Sequence, residues 1–208
     1  MPEKKAISDI VVSRLPHYLQ ALRHMASQGC RVILSQELGA HLGISAPQIR
    51  KDLSLFGEFG KQGTGYDIAN LIGQLNQILN TNSVWDMVIV GAGNIGRAIA
   101  LYQDFTDRGF RVAMIYDNDP QRIGSRVGTY IIQDIKDMAA AIKAKSIKIA
   151  VLAVPAVGAQ QVTDQLVKAG IKAILNYAPI AITVPADVHV QHLDPVVYLQ
   201  QMTYYLEA

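Results

Sequence analysis

Val84-Trp-Asp-Met-Val-Ile-Val90, followed at once by Gly91-Ala-Gly-Asn-Ile-Gly96, decides the fold. A short apolar, β-branched run bounded by glycine reads as a buried strand. The glycines then fit G-x-G-x-x-G, a pattern that carries weight only where a strand leads in and a helix leads out. Both conditions hold, because a helical pattern runs from Gly91 towards Gly109. Gly91 permits the tight turn, Gly93 lets a pyrophosphate approach the backbone, and Gly96 lets helix and strand pack closely. Ala92, Asn94 and Ile95 complete the turn, and free N–H groups at a helix start suit phosphate oxygens. A second strand, Phe110-Arg-Val-Ala-Met-Ile-Tyr116, ends at Asp117, 21 residues after Gly96. A carboxylate there accepts ribose hydroxyls and repels a 2′-phosphate, which favours NADH/NAD+ over the phosphorylated dinucleotides. A plain strand–helix turn with an acidic cap is the alternative.

Outward from this core, strands are expected at Lys148–Val154 and Ala173–Asn176, and helices at Asp134–Lys145 and Ala159–Ala169. Strands alternating with helices predict an α/β fold, a Rossmann-like doubly wound parallel sheet. A helical pattern from about Pro195 ends the chain, with Val197, Leu199, Met202, Tyr205 and Leu206.

The sequence changes character near residue 82, at the polar junction Asn80-Thr81-Asn82-Ser83. Before it, short amphipathic helices dominate. Pro16 suits the first turn of a helix reaching about Ser27, with Leu19, Leu22 and Met25 on one face. Ser35 has the chemistry of an N-cap, and Gly43 breaks the helix it opens. Ser45 caps the next helix, from Ala46 to Leu55, with Pro47 in its first turn and Gln48 placed as a capping-box partner. Two short helices across a glycine turn form a helix-turn-helix. The stretch from Phe56 to Tyr66 holds four glycines, Gly57, Gly60, Gly63 and Gly65. It reads as a wing rather than a helix. From Asp67 a last helical pattern follows. The expected domains are therefore a winged helix at 1–80, a dinucleotide-binding domain at 84–194 and a terminal helix at 195–208.

On the second helix of the motif, Ile49 and Leu53, with Leu55 beyond them, should face inward. Ser45, Ala46, Gln48, Arg50 and Lys51 lie near its start, with Ser54 one turn on, where a recognition helix meets base edges. Arg suits guanine O6/N7 and Gln suits adenine. Lys61 on the wing has the reach for a phosphate or a minor groove. A solvated helix face with ordinary salt bridges is the alternative.

Composition sets the limits. Half the residues are hydrophobic and 17% charged, as in a chain that folds. No apolar run reaches the roughly 18 residues of a membrane span, and no secretory segment is visible, so a cytoplasmic protein is expected. Cys30 is the single cysteine, which excludes a cysteine-rich metal site and an intrachain disulfide. It is expected to be buried. The net charge of +2 resides entirely in residues 1–80, which carry eight Lys/Arg against six Asp/Glu. That surplus is too small to argue for nucleic acid by itself.

Several segments together resemble the Rex family of redox-sensing transcriptional repressors. They are Ser13-Arg-Leu-Pro-His-Tyr-Leu19, Gln48-Ile-Arg-Lys-Asp-Leu-Ser54, Phe56-Gly-Glu-Phe-Gly60, Gly63-Thr-Gly-Tyr66, Val90–Gly96, Tyr116-Asp-Asn-Asp-Pro120, Ala153-Val-Pro-Ala156 and Ala169–Pro179. The resemblance implies a winged-helix domain, a Rossmann domain and a C-terminal helix exchanged between the subunits of a homodimer. It implies a repressor, not an enzyme, that holds double-stranded operator DNA when NAD+ is plentiful and is released when NADH binds. Fermentative and respiratory genes would be its targets. Family members place nicotinamide near the segments matching Ala153–Ala156, including Val154 and Pro155, and Asn176–Pro179. The resemblance also implies an interdomain network of Arg14, Tyr102 and Asp194, with Tyr102 close to the cofactor. Pro195-Val-Val-Tyr-Leu199 departs from the aromatic pattern of some relatives. Two rivals remain open on the residues alone: an NAD-dependent oxidoreductase, and a regulator sensing an adenine nucleotide without nicotinamide. An enzyme needs an acid or base near the hydride. The C-terminal histidines, His189 and His192, read better as strand surface.

Overall fold

The computed structural model describes residues 7–60 and 64–206. It divides between Ser83 and Val84 into two compact units.

In the first unit, helix α1 (Asp9–Ser27) buries Val11, Leu15, Tyr18, Leu19 and Leu22 along one face. It starts earlier than its proline suggested: Pro16 lies inside the helix, not in its first turn. The missing N–H costs one bond to the Val12 carbonyl. Val12 and Pro16 both lie on the exposed face of the helix. Helices α2 (Ser35–Leu42) and α3 (Ala46–Ser54) follow, joined through Gly43 at φ +67°. The cap of α2 is a correction: Leu34 holds the N-cap position and its N–H donates to the Glu37 carboxylate at 2.8 Å. Ser35 is already helical. At α3, Ser45 caps as expected, accepting the Gln48 N–H at 3.4 Å. The Gln48 amide does not return to the cap; it donates to Asp52 at 2.6 Å. Leu55, expected inside, is exposed. Cys30 is exposed too, because it sits in the turn after α1 rather than on a helix face.

Strands β1 (Val32–Ile33) and β2 (Tyr66–Asp67) pair antiparallel. They join the segment leading into α2 to the segment leading into the next helix; the tip of the expected wing, residues 61–63, lies outside the described residues. Asp67 then caps α4 (Ile68–Ile78), accepting the Asn70 N–H at 2.7 Å. Leu15, Tyr18, Leu22, Leu38, Ile49, Leu53, Leu71 and Leu75 form one continuous core.

The second unit is a seven-stranded sheet in the order β5-β6-β4-β3-β7-β8-β9. The strands are β3 (Trp85–Val90), β4 (Phe110–Asp117), β5 (Arg126–Val127), β6 (Tyr130–Asp134), β7 (Ile149–Leu152), β8 (Ala173–Asn176) and β9 (His189–His192). All neighbours are parallel except the β5–β6 hairpin, which the sequence did not announce. Alternate residues of β3 serve opposite faces. Val88 and Val90 join the core under α6 (Met138–Lys145) and α7 (Ala156–Ala169), while Met87 and Ile89 join Ala92, Ala100 and Val112 on the other side. Helix α5 (Asn94–Ala100) follows the glycine turn and a short 3-10 segment, Gln103–Arg108, leads into β4. The chain closes with α8 (Pro195–Thr203). From β3 the chain runs outward to β4 and β6, then returns to β7 on the other flank of β3. This reversal opens a crevice beyond the carboxyl ends of β3 and β7, where open α/β sheets bind ligands.

Candidate functional site

That crevice is a cleft of about 810 Å3. Gly91, Gly93, Asn94 and Ile95 line it from the β3 side, and Ala153, Val154 and Pro155 from β7. The three glycines have different reasons to be glycine. Gly91 has φ +97°, and a Cβ there would meet the Ala153 carbonyl oxygen at 2.3 Å. At Gly96 a Cβ would fall 1.8 Å from the Gly91 oxygen. Both are demanded by the protein's own packing. At Gly93 the nearest atom to such a Cβ is Arg122 Nη1, at 3.9 Å. The protein's own packing does not demand glycine at Gly93, which lines the cleft.

Asp117 ends β4 at the cleft and is almost wholly buried. Its Oδ2 accepts the Ala92 N–H at 2.7 Å and Arg122 Nη1 at 3.2 Å, and its Oδ1 accepts the Asp119 N–H at 2.9 Å. Burial pushes this carboxyl up, but the Asp119 and Ala92 N–H groups and the Arg122 guanidinium hold it below the usual carboxylate range. Asp117 is therefore charged, and it pins the glycine turn to the end of β4. A carboxylate has about four acceptor positions, so about one remains for a ribose hydroxyl. Ala92 is buried with its N–H committed to Asp117, so it supports the turn rather than facing the cleft.

Sequence reasoning missed Arg122, Val157 and Gly158 in the cleft wall, while Tyr177 and Pro179 of the expected 176–179 segment do line it. Arg122 bonds Asp117 and lies 3.3 Å from Asp119. Its spacing of five residues from Asp117 was the available signal.

The first unit presents α3. Arg50, Lys51 and Ser54 are exposed, as is Ser45 at its start; Ala46 is half-buried. Arg50 Nη1 donates to Ser35 Oγ at 2.9 Å, bridging α3 to α2. Lys61 lies outside the described residues. Beneath this face sits a polar node that the sequence did not reveal. Asp52, with no exposed surface, accepts Arg14 Nε at 2.6 Å, Arg14 Nη2 at 2.7 Å, the Tyr18 hydroxyl at 2.6 Å and Gln48 Nε2 at 2.6 Å. Burial would raise the Asp52 carboxyl, but the hydrogen bonds from Arg14, Tyr18 and Gln48 hold it below its ordinary value. Burial together with Asp52 pushes the Tyr18 hydroxyl up to about 12. Gln48 is thus turned towards the node.

The three residues of the implied network each have a partner within their own unit. Arg14 pairs with Asp52, the Tyr102 hydroxyl donates to Asp104 at 3.2 Å, and Asp194 caps α8 by accepting the Val196 N–H at 2.9 Å. Tyr102 is half exposed, stacks edge-on against Phe105, and is not among the cleft's lining residues. Among the described residues no helix is long and apolar enough to cross a membrane, and no group of three His, Cys, Asp or Glu side chains converges to hold a metal.

The comparisons agree with both halves. A family profile described as a putative DNA-binding protein N-terminus matches residues 6–54, and one described as a CoA binding domain matches residues 82–180. The second coincides with the dinucleotide-type sheet. A redox-sensing transcriptional repressor Rex from Chloroflexus aggregans is 48% identical over 95% of this chain and 93% of the relative. Another so named, from Brevibacillus brevis, is 40% identical over 99% of this chain and 100% of the relative. Among solved structures, the repressor RSP in complex with β-NAD+ and operator DNA superposes with a TM-score of 0.92 at 37% identity, covering 97% of this chain and 93% of that one. RSP with β-NADH superposes with a TM-score of 0.89 at 35% identity, covering 97% and 95%. With such identity sustained along nearly its whole length, the chain belongs to the Rex family of redox-sensing transcriptional repressors.

Proposed function

We propose that this protein represses transcription by holding operator DNA while NAD+ fills its cleft, and lets go when NADH takes its place. The observation that carries the reading is that one chain joins a dinucleotide cleft, closed by a charged Asp117, to a helix-turn-helix with an exposed Arg50. The relatives are named repressors, and RSP was crystallised with β-NAD+ and operator DNA and with β-NADH. Asp117 favours the dinucleotide without a 2′-phosphate.

The two redox forms differ in the charge and planarity of one ring. That difference must be converted into a preference between two arrangements of the protein. Moving a population from 1:99 to 99:1 needs about 5.5 kcal/mol of differential binding. A homodimer multiplies the effect, because two recognition helices must match two half-sites at once. Helix α8 supports the dimer: none of its residues is buried. Val196, Val197, Tyr198, Leu199, Met202 and the adjoining Tyr204, Tyr205 and Leu206 are each 52–80% exposed. An apolar helix this bare calls for a partner, and exchange with a second copy supplies one. Arg14, Tyr102 and Asp194 are the network that would carry the cofactor's state to the winged helices. The protein would work in the cytoplasm.

Ser45, Ala46, Gln48, Arg50, Lys51, Ser54 and, on the wing, Lys61 are the proposed DNA contacts. Arg50 has the largest share, because its bidentate fork suits guanine. Arg50→Ala is expected to weaken specific operator binding about 10- to 100-fold per recognition helix, measured by fluorescence anisotropy. NADH affinity should stay unchanged. A parallel loss of NADH affinity would mean that Arg50 supports the fold instead.

A further inference from the structure

Asn176, the last residue of β8, is 1% exposed, yet every polar atom of its side chain is used. Its Oδ1 accepts the Ala178 N–H at 2.9 Å, and its Nδ2 donates to the Ile180 carbonyl at 2.9 Å. These two bonds fix which way the amide points. Its second N–H then faces Nδ1 of His192, 3.0 Å away. An N–H donor requires an acceptor, so the ring must carry its proton on Nε2 and leave Nδ1 bare.

The placement of the pair matters more than its strength. Asn176 shapes the 177–180 turn, and Tyr177 and Pro179 of that turn line the nucleotide cleft. Tyr177 also lines a second, apolar cavity of about 420 Å3 with Leu193, Pro195, Tyr198 and Leu199. His192 ends β9 directly opposite Asn176 in the sheet register. The Leu193 N–H donates to the Asn176 carbonyl at 2.8 Å, and Asp194, next in the chain, caps α8. One buried amide therefore grips both the cleft wall and the strand end from which α8 starts. If a ligand moves the turn, the amide moves with it and pulls on His192.

We propose that His192 is a positioning residue whose Nδ1 couples occupancy of the nucleotide cleft to the start of helix α8. The proposal rests on the cofactor-driven reading above. It does not require His192 to touch cofactor or DNA. Without the acceptor, Asn176 keeps its turn through Ala178 and Ile180 but loses its hold on β9. The cleft should still bind, and its message should not arrive.

The test uses the full-length protein with His192→Leu and His192→Asn. Asn places its Oδ1 where His places Nδ1, two bonds from Cβ, so it restores an acceptor, whereas Leu fills the space with none. Two readouts are taken: the ratio of operator Kd with and without saturating NADH, and NADH-induced change in hydrogen exchange over residues 189–203. His192→Leu should bind NADH and operator much as the wild type does. Its Kd ratio should fall by about tenfold, equivalent to about 1.4 kcal/mol of coupling. The NADH-induced exchange change should vanish in His192→Leu, while His192→Asn keeps the wild-type behaviour in both. The proposal is overturned if Leu retains both responses, if Asn fails as Leu does, or if Leu loses NADH binding itself. A wild type that keeps its operator in NADH refutes the redox switch. The exchange readout then still decides the coupling: a response in wild type and Asn but not Leu supports it, and equal behaviour in all three overturns it.

Discussion

Asp52→Ala is expected to destabilise the N-terminal unit by about 3 kcal/mol, because breaking a buried ion pair typically costs 3–5 kcal/mol. The lower end applies here because the Arg14 side chain is 22% exposed and regains water when its partner goes. The Tyr18 hydroxyl has no such recourse: it is fully buried and Asp52 is its acceptor. For a unit of this size each kcal/mol moves the midpoint by about 4–8 °C, so thermal unfolding followed by circular dichroism should shift down by more than about 10 °C. Operator binding should fail with it, since the node holds α3 to α1 and fixes Gln48. Asp52→Asn should not rescue, because its NH2 group would face donors from Arg14, Tyr18 or Gln48. A shift of only a degree or two would show that the node is not structural.

The node also shows where the sequence stopped being readable. Asp52 sits beside Lys51 and resembles half of a surface pair. Gln48 lies one turn back on the same helix, but Tyr18 and Arg14 lie 34 and 38 residues away, and no local pattern connects those two to Asp52. By contrast β3, the glycine turn and β4 were legible because each step constrains the next: buried strand, tight turn, close helix, acid. The β5–β6 hairpin escaped because β5 has two residues and Ile131 on β6 is exposed, so neither shows a clean apolar period. Pro16 misled because proline is best tolerated in a helix's first turn, whereas here it lies inside α1, on its exposed face. Cys30 misled because its type is usually buried, while its position follows a helix end. In the cleft, the glycines and Asp117 could be named from spacing. That Asp117 is largely spent on Ala92, Asp119 and Arg122 could not, because it depends on how the turn folds back.

Gly96→Val should have the largest effect on the cofactor. The added Cβ would lie 1.8 Å from the Gly91 oxygen and 3.0 Å from its carbonyl carbon, both backbone atoms that no side-chain rotation relieves. Either the turn or α5 must shift by more than an ångström, and Ala92 then loses its grip on Asp117. NADH affinity, read from the enhancement of NADH fluorescence, should drop by at least about 100-fold, equivalent to about 2.8 kcal/mol. Gly93→Val provides the control. Its Cβ has free space within the protein, so thermal stability should hold while NADH binding is lost to the group now standing in the cleft. Both variants should retain operator binding and lose its response to NADH. Undiminished NADH binding by Gly93→Val would place the dinucleotide elsewhere.

At the centre of the account is a ligand in one unit governing the grip of the other on DNA. The direct measurement is operator affinity of the wild-type protein across NADH:NAD+ ratios at a constant total pool. The account predicts tight binding when NAD+ dominates and a steep loss as NADH rises. Unchanged operator affinity in a protein demonstrably saturated with NADH would contradict it.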